Sequence, residues 1–187
     1  MEGRKNILDL TVQTQMGINL CWCAVGTVCA VFLDPASSWT QCLMASKTLG
    51  PEAGDCCAQV DNNPCDMEGY LLNDQVTPNI GSFVTAEIDN KYVKKAISYS
   101  EVITQIDAGL PLAYRLEECV KMGKTNQKFC LSHFVVLSGY DSSSGKQLVQ
   151  ILDSAGGTVS LISYSDFIKD YQGYSVTHTF FTKSKSI

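Results

Sequence analysis

From Thr11 to Leu33 the chain carries no charged side chain, and from Ile18 onward the run is largely apolar. A stretch of this kind must leave water. A membrane span needs about 20 consecutive apolar residues, and here Asn19, Gly26 and Thr27 interrupt. The run therefore predicts a helix buried in a globular core, with Asn19 as its N-cap and Asp34-Pro35 as its stop. The rest of the chain can supply that core. Its 187 residues are 45% apolar and 18% charged, enough for one well-packed domain and too little for two large ones. We expect a single domain over 1–187, with a helical half to about residue 110 and a sheet half from 111. The net charge is −5 and no block of like charges occurs. That pattern argues against a surface that tracks nucleic-acid phosphates.

Local signals fill in the two halves. Ser37 and Ser38 stand ready to cap a helix over 39–48, which Gly50 and Pro51 end. Residues 50–66 hold Gly, Pro, Asn, Asp and three cysteines, the composition of a loop. A short helix is expected over Ser100–Asp107. Beyond it, β-branched and aromatic runs separated by turn signals predict strands at Pro111–Leu116, Ser132–Tyr140, Gln147–Leu152, Gly157–Ile162 and Tyr174–Thr182. Ser163 with Asp166 resembles a capping box for a helix to about Tyr171, closed by Gly173. Helices followed by an antiparallel meander make an α+β fold.

One pattern in this framework carries chemistry. A reactive cysteine needs its thiolate form, which a helix N-terminus stabilises. Cys21 falls just after the expected cap of the buried helix. Its base must be a histidine, and the chain has two. His133 opens an apolar strand, and the next strand ends in Asp153, which antiparallel pairing would set beside it to orient the ring. His178 has no such partner and reads as structural; Asp141 is a weaker orienter than Asp153. Acyl transfer also develops an oxyanion. Gln15, six residues before Cys21, is the candidate donor together with backbone N–H, and Gln13 is its rival. Cys23 is the rival nucleophile. The stretch Gly139–Lys146 has one residue too many between its glycines for a phosphate loop.

Three blocks resemble known sequences: Gln15-Met-Gly-Ile-Asn-Leu-Cys21-Trp22, His133-Phe-Val-Val-Leu-Ser-Gly-Tyr-Asp141, and Ile151-Leu-Asp-Ser154. They are similar to the glutamine, Cys-Trp, histidine-strand and third-residue segments of papain-like cysteine peptidases. The similarity is greatest to effector proteases injected by plant-pathogenic bacteria and to the double-glycine leader peptidase domains of bacteriocin exporters. It runs from Gln15 to Thr182. Leu20 and Cys23 depart from the effector pattern, which has an aromatic residue and an alanine there. The resemblance implies a papain-like fold with its site between the two halves. It implies a cysteine endopeptidase of bacterial origin working through a thioester, with Cys21, His133, Asp153 and Gln15 at the site. The substrate would be a protein, cut beside small residues such as Gly-Gly. No cofactor or metal is called for. A papain-fold amidase, deamidase or acyltransferase would share the same intermediate, and a catalytically idle recognition module would share the fold. An injected toxin would act outside its producing cell and have a small immunity protein as partner. Met1–Asp9 shows no secretion leader, so such a route would need a removed leader or an injection system.

Nine cysteines leave at least one thiol unpaired, as a nucleophile requires. Cys56 and Cys57 are adjacent and should bridge outward rather than to each other. Cys42–Cys56 with Cys57–Cys65 is the first pairing to expect, although spacing alone leaves the connectivity open. Cys119 and Cys130 would staple a loop between two strands. The spacing fits structural zinc poorly.

Overall fold

The computed structural model describes residues 3–58, 63–67, 81–122 and 127–184; positions 59–62 of the expected 50–66 loop lie outside them. The charge-free run forms α1 (Cys21–Leu33), with every residue from Cys21 to Ala30 buried. Its cap is Leu20, with no side-chain cap bond, rather than Asn19. Asn19 is engaged elsewhere: its N–H and its side-chain amide both donate to Asp66. Next comes α2 (Gln41–Leu49), capped by Thr40, whose hydroxyl accepts from the Leu43 N–H at 3.2 Å. This start lies two residues beyond the expected one, because Thr40 and not Ser37 or Ser38 holds the orphan N–H.

Seven strands form one antiparallel sheet among the described residues. β3 (Leu112–Met122), β4 (Gln127–Asp141), β5 (Leu148–Asp153) and β6 (Thr158–Ser163) make the expected meander. β7 (Ser175–Thr182) then returns to the free edge of β3, and β2 (Asp89–Val93) pairs outside it. β1 (Lys5–Ile7) takes over the edge of β4 where β3 has ended. Gly139 permits that approach, since a Cβ there would lie 2.9 Å from the Asn6 carbonyl. The N-terminal half thus lends two strands to the sheet, and the short β1 and β2 carry too few apolar residues to announce themselves.

Alternation along β4 divides the core. Phe134 and Val136 pack with α1, Met44 of α2 and Phe83 of α3 (Gly81–Thr85). Val135 and Leu137 pack on the other face with Val102 and Ile106 of α4 (Tyr99–Asp107) and Phe167 of α5 (Tyr164–Lys169). The box at Ser98 and Glu101 that starts α4 has both reciprocal bonds, whereas Ser163 caps α5 without a side-chain bond and α5 ends before Tyr171. No described helix is long and apolar enough to cross a membrane.

Three disulfides close the loops: Cys42–Cys57, Cys56–Cys65 and Cys119–Cys130. The last is the pair expected, and it joins residues directly opposite each other on β3 and β4. The first two correct the expected pairing by one residue. Cys56 turns inward and is buried with Cys65, while Cys57 faces out. Cys21, Cys23 and Cys29 are free thiols.

Gly26 sets how closely α1 and α3 approach. A Cβ at that position would sit 2.2 Å from the Ser82 hydroxyl, which donates to the Trp22 carbonyl. Gly26→Ala should therefore destabilise the protein by about 2 kcal/mol through overpacking, read from urea unfolding curves. An unchanged midpoint would show that the two helices separate freely.

Candidate active site

The N-terminus of α1 and the outer end of the β4–β5 pair meet at a cavity of about 360 Å³ lined by Gln15, Cys21, Trp22, His133, Asp153 and Tyr174, among others. Cys21 is the first residue of α1 and is 7% exposed. No side chain caps α1, so the positive end of its dipole is left for an anion at the first turn. Cys23 shares the helix and not the site. Its Sγ donates to the Gln41 carbonyl at 2.9 Å, and burial pushes the thiol up to about 12. It stays a protonated core group.

β4 runs on past the end of β5. The register pairs Val136 with Leu152, which sets Asp153 level with Val135, two residues from His133 on the same face. The two side chains close that diagonal, with His133 Nε2 2.7 Å from Asp153 Oδ1. Nδ1 is thereby the ring nitrogen left for Cys21. Asp153 is buried but fully partnered. Its Oδ1 also accepts from the Ala155 N–H at 2.9 Å, and its Oδ2 from the Tyr171 hydroxyl at 3.1 Å.

The charges follow from these contacts. Burial alone would lower the His133 pKa. Hydrogen bonds to Asp153 and Cys21, and the charges of both, outweigh it and raise the ring from 6.5 to about 9. Burial likewise opposes the Asp153 charge, yet the His133 hydrogen bond and charge hold its carboxyl below the ordinary value. Tyr171 is driven up to about 12 by burial and by Asp153, so its hydroxyl remains a donor. At neutral pH the geometry thus holds an imidazolium between a carboxylate and a sulfur.

Gln15 lines the same cavity, but its amide is occupied: Nε2 donates to the carbonyls of Gly17 at 2.7 Å and Ile18 at 2.8 Å. Its Oε1 accepts from the Ser154 hydroxyl at 3.1 Å. Gln13 instead meets the Gln41 side chain. His178 lies away from the cavity, near Tyr92 and Phe180, and Asp141 pairs with Lys5 and Ser143. Sequence reasoning missed Tyr171 as a partner of Asp153, and also Asp66, which holds the backbone just before Cys21. Neither has a signal in spacing, because both act from loops brought in by the fold.

The sequence matches the Peptidase_C39 like family over residues 7–178. Among solved structures the fold is similar to xylellain, a cysteine protease from Xylella fastidiosa, with a TM-score of 0.55 at 11% identity, covering 97% of this chain and 86% of that one. No curated protein sequence matches.

In its free form the imidazole should titrate near 9 by NMR. The stabilisation from its raised pKa is fully present below 6.5 and is lost as pH rises through about 9. Asp153→Asn removes one of the two supporting charges and should bring the titration down toward 6.5; an unmoved midpoint would mean Asp153 does not hold the proton on the ring.

Proposed function

Since the chain belongs to the Peptidase_C39 like family and is a cysteine peptidase of papain-like fold, we propose that Cys21 is its nucleophile, His133 its acid–base, Asp153 the orienter of His133, and Gln15 an oxyanion donor. The observation that carries this reading is the single cavity in which Cys21 and the hydrogen-bonded His133–Asp153 pair stand together. The Cys21 thiolate adds to the scissile carbonyl, forming a C–S bond as the π pair moves onto oxygen. That oxyanion sits against the Cys21 backbone N–H and the Gln15 amide. A charged oxygen is the stronger acceptor, and one Gln15 N–H bifurcates between it and a backbone carbonyl, so the nitrogen end stays seated. The electron pair returns, the C–N bond breaks, and His133 gives its proton to the departing amine. Neutral His133 then takes a proton from water, whose oxygen adds to the thioester carbonyl; the C–S bond breaks and restores the thiolate beside the imidazolium.

The substrate is a protein, and we infer cleavage beside small residues such as Gly-Gly. The similarity of the histidine strand to double-glycine leader peptidases supports this. Three disulfides suit an oxidising compartment, which supports action outside the producing cell. A secreted or injected bacterial effector or toxin, held in check by a small immunity protein over the cleft, is the biological setting in keeping with both.

Cys21→Ala should abolish labelling by a thiol-directed epoxide; persistent labelling at Cys23 would move the nucleophile. Mapping of new N-termini after incubation with a proteome should reveal cuts that Cys21→Ala does not make. One-dalton mass shifts without cuts would replace hydrolysis of the backbone with deamidation. With a mapped substrate, kcat/KM should fall as pH rises through about 9, where His133 loses its proton, and Asp153→Asn should shift that limb to lower pH.

A further inference from the structure

The loop that enters α1 is held from both sides in a repeating way. On one side stands the Asp66 carboxylate: Oδ2 accepts from the Ile18 N–H at 3.1 Å and Oδ1 from the Asn19 N–H at 2.7 Å. On the other side stands the Gln15 amide, whose nitrogen donates to the carbonyls of Gly17 and Ile18. The Gly17 carbonyl and Ile18 N–H belong to one peptide unit, and the Ile18 carbonyl and Asn19 N–H to the next. Two consecutive peptide planes therefore each run from an Asp66 oxygen to the Gln15 nitrogen. Bonds in such a chain polarise one another, so the negative charge at one end strengthens the acceptors at the other.

Resting on the peptidase reading above, we infer that Asp66 is a positioning residue, which acts through these two peptide units to fix which end of the Gln15 amide faces the oxyanion. A free glutamine amide can turn its oxygen or its nitrogen into the cleft, and only the nitrogen stabilises an oxyanion. Two polarised carbonyls pin the nitrogen end, and the Ser154 hydroxyl pins the oxygen end.

The surroundings hold Asp66 in place for this. It follows Cys65, which is bridged to Cys56, and its own N–H donates to the Asn63 carbonyl at 2.9 Å. Its own carbonyl accepts from the Asn19 side chain, and the Met67 carbonyl from the Trp22 indole at 3.0 Å. Gly17 leaves room for the carboxylate, since a Cβ there would lie 2.6 Å from Asp66 Oδ1.

Two reagents separate this role from simple support of the fold. Iodoacetamide alkylates Cys21 and needs only the thiolate. A peptide aldehyde carrying the sequence before the mapped cut adds to Cys21 and places an oxyanion in the site. Asp66→Asn keeps one acceptor and turns an N–H donor against the other peptide. It should weaken aldehyde binding about tenfold and leave the iodoacetamide rate within about twofold. Gln15→Ala should show at least the same loss, and adding Asp66→Asn to it should cost nothing more. Gly17→Ala, which displaces the carboxylate from the loop side, should reproduce the effect if Asp66→Asn does not fold. Unchanged aldehyde binding in both Asp66→Asn and Gly17→Ala, additive losses with Gln15→Ala, or a parallel fall in the iodoacetamide rate would each overturn the role of Asp66. A wild-type protein that binds no aldehyde would instead overturn the peptidase reading, and this inference with it.

Discussion

The seating of α1 against β4 governs the molecule. Its first ten residues are buried, so it has no amphipathic freedom to roll or slide without exposing apolar surface or opening a void. Phe134 and Val136 hold it from the sheet, and Ser82 meets it at Gly26. A helix fixed in this way carries its N-terminus to a defined point, and that point is beside His133. Cys21 needs no dedicated anchor, because the core supplies one.

The polar half of the site follows a different logic. His133 and Asp153 lie where β4 outruns β5, so that on this edge of β4 side chains answer one another in place of the ladder, while β3 still pairs the other edge. Asp153 is buried without being orphaned, since His133, Ala155 and Tyr171 all donate to it. Burial by itself would neutralise both partners. The complete set of bonds keeps both charged, which is the condition a thiolate needs from its neighbour.

Much of this was legible in the residues. The charge-free run named the buried helix, the apolar strand after His133 placed it beside Asp153, and the glutamine six residues before Cys21 fell in the same cavity. What stayed hidden depends on partners remote in sequence. Asn19 has a good capping side chain, but Asp66 claims it, so Leu20 takes the cap position of α1 with no side-chain bond. The Gln15 amide is committed to two backbone carbonyls, and no spacing rule reveals where a flexible side chain spends its donors. β1 and β2 are strands because long neighbours offer them free edges, not because their own residues demand it.

The adjacent cysteines show the same dependence in its sharpest form. Exchanging the partners of Cys56 and Cys57 would change each closed loop by one residue, so chain entropy is nearly blind to the choice. The decision falls to packing, which draws Cys56 into the interior and leaves Cys57 outside. Oxidation therefore records a fold that has already formed around this loop. A chain oxidised before its core closes has no reason to prefer the native isomer, and must reach it by thiol exchange.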